Sequence, residues 1–222
     1  MKEIRQLGAI ALVLGMIASC NLTSSPPSEL PRVSPKPGIE KPRQKPAPTA
    51  QNPVASATNN RNLLLGNPSN TTSSIASADN YLLVKSQYVL SYNSKTKTAN
   101  WVSWQLNRSW IGIADRQDNF RPDDALPVNW YAVRPNDYTG SGYDRGHVAP
   151  SADRTRNEAD NSATFLMTNM MPQVPEVNKG VWGDLEEYCR ELVQQGKELY
   201  ISGWARGEER QYWQKGKDCS AG

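Results

Sequence analysis

An antiparallel β-hairpin followed by an amphipathic helix is what the sequence predicts, and two patterns predict it. Val102, Trp104 and Leu106 alternate with Ser103 and Gln105, and the run NSKTKTAN (93–100) separates them from the apolar stretch Tyr81 to Tyr92. Alternation beside a polar, turn-forming run is the signature of a β-hairpin. Farther on, Val181, Trp182, Leu185, Tyr188, Cys189, Leu192 and Val193 fall on one side of a helix advancing about 100° per residue. A helix with one apolar face therefore follows the strands.

The chain begins with Lys2 and Arg5 ahead of an apolar run, Leu7 to Ala18, that ends in small residues. This is the order of an export signal, and the run is too short for an ordinary membrane span. Ile17-Ala18-Ser19-Cys20 also resembles a bacterial lipobox, in which the cysteine carries the lipid. Residues 1–20 are thus expected to export the protein, as a cell-envelope lipoprotein held to the membrane by an N-terminal lipid anchor or as a secreted protein. Residues 21–60 are rich in Pro, Ser, Ala, Thr and Asn, with few large apolar side chains. Such a composition cannot offset its own ordering entropy, and a disordered Pro-rich linker is expected.

The formal net charge of +3 does not describe the domain, because residues 61–201 carry 14 Lys and Arg against 16 Asp and Glu. Any affinity for a polyanion must come from local placement of cations. Three cysteines without a CxxC or a His/Cys cluster argue against zinc, and two of them, Cys189 and Cys219, could pair in an oxidising compartment.

Within the domain, Asp115 to Asp124 is a polar segment that Pro122 keeps from being regular. A short strand is expected at Trp130 to Val133, a short helix at Asn157 to Ala163, and an apolar strand at Thr164 to Thr168. Between them lies YDRGHVAPSADR, Tyr143 to Arg154, which contains the only histidine of the chain, His147. Gly140, Gly142 and Gly146 let the backbone bend around it. Asp144 and Arg145 bring a carboxylate and a guanidinium into the same small volume, and a guanidinium suits the forked hydrogen bonds of a phosphate. A lone histidine is by itself ordinarily without a role; a neutral imidazole among such neighbours can accept a proton near neutral pH. On the predicted helix, Glu186 and Arg190 lie at the border of the apolar stripe, spaced for an ordinary surface ion pair. Asn178, just before the helix, is placed either to cap it or to offer an amide oxygen to a hard cation.

Taken together, YDRGHVAPSADR, then TNMMPQ (168–173), then Asn178 and the helix Trp182 to Leu192 resemble the DNA/RNA non-specific endonuclease family, in particular its exported cyanobacterial sugar-non-specific members. The resemblance covers about Leu63 to Ile201. It implies an α+β domain carrying a ββα-metal finger on an antiparallel sheet, and metal-dependent hydrolysis of DNA and RNA without sequence specificity, leaving 5′-phosphate ends. It implies His147 as the general base and Asn178 as the direct protein ligand of a divalent cation, Mg2+ with Mn2+ as the alternative. Glu186 would hold the cation's waters, Arg116 would stabilise charge on the phosphate, and Arg145 and Arg190 would bind phosphate. Asp144 and Asn169 would support the site. A proteinaceous nuclease inhibitor is a further partner of this kind of enzyme. Where the family continues its sheet, residues 202–222 show neither alternation nor an apolar stripe. A domain over 61–201 truncated at its C-terminus, with unpaired strand edges and a divergent tail, is therefore expected. The alternative function is a catalytically inactive envelope lipoprotein or nucleic-acid-binding relic.

Overall fold

The computed structural model describes residues 9–17 and 60–206, with side chains from 60 to 204. Most of the linker and tail, together with Cys20 and Cys219, lies outside the described residues; Cys189 is a buried free thiol.

Tyr81 to Tyr92 is not one strand but two. β2 (Tyr81–Val84) turns at Lys85, whose N–H donates to the Tyr88 carbonyl at 3.0 Å, and returns as β3 (Val89–Asn93). No Gly, Asn or Pro marks this turn, so two short apolar strands read as one run. β4 (Thr98–Leu106) follows across the expected polar loop. β7 (Glu198–Arg206) pairs antiparallel with β4 and carries the strand beyond Ile201 into the expected tail. Ala9–Ile17 forms β1, parallel to β7, giving the sheet order β1-β7-β4-β3-β2. The edge of β7, expected to stand unpaired, thus has a partner: the backbone of the N-terminal apolar run satisfies its open N–H and C=O groups.

Alternation on β4 sorts the two faces of the sheet. Val102, Trp104 and Leu106 join Leu90, Leu199, Ile201, Cys189 and Val193 in the main core. The other face buries Trp101 with Leu82 and Val89. Asn62, 4% exposed, latches this face: its carbonyl accepts from Ser103 Oγ at 2.7 Å and its Oδ1 from the Gln105 N–H at 3.0 Å.

The helix predicted from periodicity is α3 (Val181–Gln194), which follows α1 (Glu158–Ala163) and α2 (Pro175–Lys179). Asn157 caps α1 through Oδ1 and the Asp160 N–H. The apolar stripe of α3 is wider than the surface it covers. Trp182, Cys189 and Val193 are buried, whereas Val181 and Tyr188 are exposed.

Two expected strands are absent. Trp130 to Val133 is irregular, flanked by Pro127 and Pro135, and is held by packing: Trp130 meets Tyr81 at 5.0 Å and Tyr92 at 6.4 Å. At 164–168 only Leu166 bridges, to Arg121, and the strand begins later as β6 (Met170–Gln173). Every residue from 164 to 173 is buried, so the side chains carry no alternation that would reveal where the ladder starts.

Candidate active site

The central motif is a strand, β5 (Asp144–His147), paired antiparallel with β6 so that Asp144 faces Gln173 and His147 faces Met170. β5, β6 and the α2–α3 pair make the expected ββα unit. Gly146 is required by close packing, since a Cβ there would fall inside the Gln173 side chain. Gly146→Ala is expected to destabilise the fold by about 1–3 kcal/mol through overpacking. Urea unfolding of the variant and the parent checks this.

Asn169, fully buried, fixes the chain just after His147. Its Oδ1 accepts from the Ala149 N–H and its Nδ2 donates to the Ala149 and Thr164 carbonyls, each at 2.9 Å. Trp182 Nε1 donates to the His147 carbonyl at 3.2 Å and ties the end of β5 to α3.

A cleft of about 430 Å³ brings together Arg116, Asp144, Arg145 and Asn178, with Phe120 in its wall. His147 lies behind that wall, 7% exposed, its ring 5.7 Å from Phe120 and 4.8 Å from Phe165. Its Nε2 is buried without a hydrogen-bond partner. Burial first, and then the Arg116 guanidinium, hold the imidazole down to about 3 from an ordinary 6.5, so it is neutral at neutral pH.

Arg116 is positioned by a backbone splice. The Arg121 N–H donates to the Phe165 carbonyl at 3.2 Å, the Met167 N–H returns to the Arg121 carbonyl at 2.9 Å, and Asn161 Oδ1 accepts from the Gln117 N–H at 3.0 Å. The guanidinium donates to Ser151 Oγ at 2.8 Å and Asp118 Oδ1 at 2.7 Å.

Asn178 does not cap α3. It lies within α2, and the residue at the α3 N-cap is Gly180, which makes no side-chain bond. Its Nδ2 donates to Asp144 Oδ2 at 3.0 Å, which leaves Oδ1 as the free end of the amide in the cleft. Among the described residues no group of three or more His, Cys, Asp or Glu is assembled to hold a metal ion. A cation here would rest on few protein ligands, which suits magnesium because it keeps most of its waters.

Glu186 and Arg190 are not paired with each other as their spacing suggested. Arg190 Nη1 reaches Asp153 Oδ1 at 3.3 Å, because the fold buries Asp153 completely enough to demand a cation. Trp104 Nε1 donates to the other Asp153 oxygen at 2.9 Å. Glu186 lines a small separate pocket with Asp153, Trp182 and Pro150. Burial and then Asp153 push its carboxyl up to about 8, against the pull of Arg190, Trp182 and Arg116. Arg116 is thus the common charged neighbour of His147 and Glu186. Phe120, Phe165, Ser151, Asp153 and Asn161 are not singled out by the sequence, and Trp182 stands out there only as part of the apolar helix face. Ser151 and Asp153 belong to the motif itself, and their burial marks that its tail is built into the site.

The sequence model of the DNA/RNA non-specific endonuclease family matches residues 65–216. A nuclease of Nostoc sp. is 66% identical over 145 residues, which are 65% of this chain and 53% of that protein. A nuclease of Syncephalastrum racemosum is 33% identical over 159 residues (69% and 47%), and human mitochondrial endonuclease G 36% over 119 (53% and 40%). Among solved structures, that of the EndoG/EndoGI complex matches with a TM-score of 0.51 and 29% identity, covering 55% of this chain and 51% of the other. The chain spans about half the length of the curated relatives it matches. With the ββα unit and its motif in place, the chain belongs to the DNA/RNA non-specific endonuclease family.

Proposed function

We propose that this protein is a metal-dependent endonuclease that hydrolyses phosphodiester bonds of DNA and RNA alike and leaves 5′-phosphate ends. The observation that carries the reading is a buried neutral imidazole behind a cleft in which two guanidiniums and a free amide oxygen converge. Arg116 and Arg145 hold the non-bridging oxygens of the phosphodiester. His147 takes a proton from water as the water oxygen bonds to phosphorus and the bond to the 3′ oxygen breaks, that oxygen taking a proton from a second water to leave as a hydroxyl. An anionic phosphate beside Arg116 offsets the charge that depresses His147, so the base strengthens when substrate is bound. Asn178 Oδ1 would hold the divalent cation, magnesium or manganese, with Asp144 orienting the amide and Glu186 bonding to the ion's waters. Bound there, the cation would neutralise charge on the phosphate and on the departing oxygen. Arg190 donates to the buried Asp153 carboxyl beside Glu186, and Asn169 holds the segment that follows the base. Because these groups address the phosphodiester and not base edges, neither sequence nor sugar is read.

The same reading includes export, supported by Lys2, Arg5, the apolar run and Cys20, with a lipid on Cys20 as the membrane anchor; processing before Cys20 would remove β1 from the edge of β7. No helix among the described residues is long and apolar enough to cross a membrane. A protein inhibitor is a further proposed partner, supported by the likeness to EndoG in its complex with EndoGI, where EndoG is inhibited.

Incubating the purified full-length chain with supercoiled plasmid and with RNA, with magnesium or EDTA, tests the activity. Both substrates are expected to be cut, EDTA to stop both, and the DNA ends to be ligated without prior phosphorylation. Cleavage that persists in EDTA, or a folded protein that cuts neither substrate, contradicts the proposal.

A further inference from the structure

Phe120 and Phe165 are the only phenylalanines in the chain. They meet edge to face, with ring centroids 4.9 Å apart at 88°. The backbone splice between Arg121 and residues 165–167 locks the two segments that carry them. Neither belongs to the main core of the sheet: Phe120 packs beside the small cluster of Val133, Tyr138, Met167 and Met170. Phe165, fully buried, faces Phe120, His147 and Arg116.

Each ring carries a cation as well as a wall of the imidazole. Arg145 Cζ lies 4.2 Å from the Phe120 centroid and Arg116 Cζ 4.9 Å from that of Phe165. His147 stands at 87° to Phe165 and at 56° to Phe120. A leucine could fill either volume but has no electron-rich face to hold a guanidinium. Without such a face, the long Arg145 side chain samples many rotamers and fixing it would fall to the substrate, while Arg116 would keep only its bonds to Asp118 and Ser151.

We propose that Phe120 and Phe165 are positioning residues, an aromatic wall that sets His147, Arg116 and Arg145 relative to one another before a phosphodiester arrives. This inference rests on the nuclease reading. Phe120 serves binding through Arg145, whereas Phe165 serves the chemical step through His147 and Arg116.

The test measures kcat, KM and, in EDTA, the binding of a short fluorescent oligodeoxynucleotide by the full-length chain and by Phe120→Leu, Phe120→Tyr and Phe165→Leu. Loss of one cation–π contact is expected to raise KM and Kd of Phe120→Leu about 5-fold, with kcat changed less. Phe120→Tyr, which keeps the ring face, retains both values. Phe165→Leu lowers kcat by about 10-fold or more, a larger change than in its KM, because a displaced base and arginine no longer meet the phosphate correctly, and a folded Phe165→Leu protein with wild-type kcat overturns the inference. Circular dichroism and thermal unfolding identify the variants that fold. A folded Phe120→Leu protein with wild-type KM and Kd overturns the inference, as does a Phe120→Tyr protein impaired as badly as Phe120→Leu. Should the wild-type chain cut no nucleic acid, the nuclease reading fails by itself. The binding arm then still decides whether Phe120 places Arg145.

Discussion

His147→Ala is expected to lower the cleavage of plasmid and RNA by about 10³-fold, the scale of a positioned general base, while oligonucleotide binding persists. Binding survives because the cleft itself is lined by Arg116 and Arg145, not by the imidazole. The same substitution changes how stability responds to acid. Burial and Arg116 lower the folded imidazole to about 3 from 6.5. Between those values the unfolded chain binds a proton that the folded chain does not, so the stabilisation is complete above pH 6.5 and is lost as the pH falls toward 3. His147→Ala should therefore lose less stability on acidification than the parent, as urea unfolding at about pH 7 and about pH 4.5 would read. Full activity in this variant would remove the histidine from the reaction.

Asn178→Ala carries the second large effect, a loss of about 100-fold or more at limiting magnesium that higher magnesium partly restores. Its stability should fall by no more than about 1 kcal/mol. Asn178 caps no helix, and the bond from Nδ2 to Asp144 is a part-exposed interaction worth about 1 kcal/mol. A magnesium requirement equal to the parent's would show that the amide is structural.

Much of the site was legible because its chemistry is written locally. The DRGH tetrapeptide is a strand, TNMMPQ supplies its partner, and the apolar spacing of 181–193 is a helix. What stayed hidden depends on contacts between distant segments. Nothing adjacent to Arg190 signals that Asp153 will be its partner, 37 residues away. Asn62 reads as an ordinary polar residue at the start of the domain until β4 is laid beside it. The loop-like 115–124 segment hid Phe120, whose role appears only when Phe165 and His147 are placed around it. Periodicity put Val181 and Tyr188 on the apolar side of the helix and both are exposed, since a sequence shows which side is apolar but not how much of it another element covers.

The central claim is that a phosphodiester lies between the imidazole of His147 and a cation on the Asn178 amide. A crystal structure of the His147→Ala protein with manganese and a short oligonucleotide tests it most directly, since the metal can be located by anomalous scattering. The account predicts manganese on Asn178 Oδ1, with a phosphate between it and position 147 and in contact with Arg116 and Arg145. Manganese bound elsewhere, with the cleft free of phosphate, would contradict it.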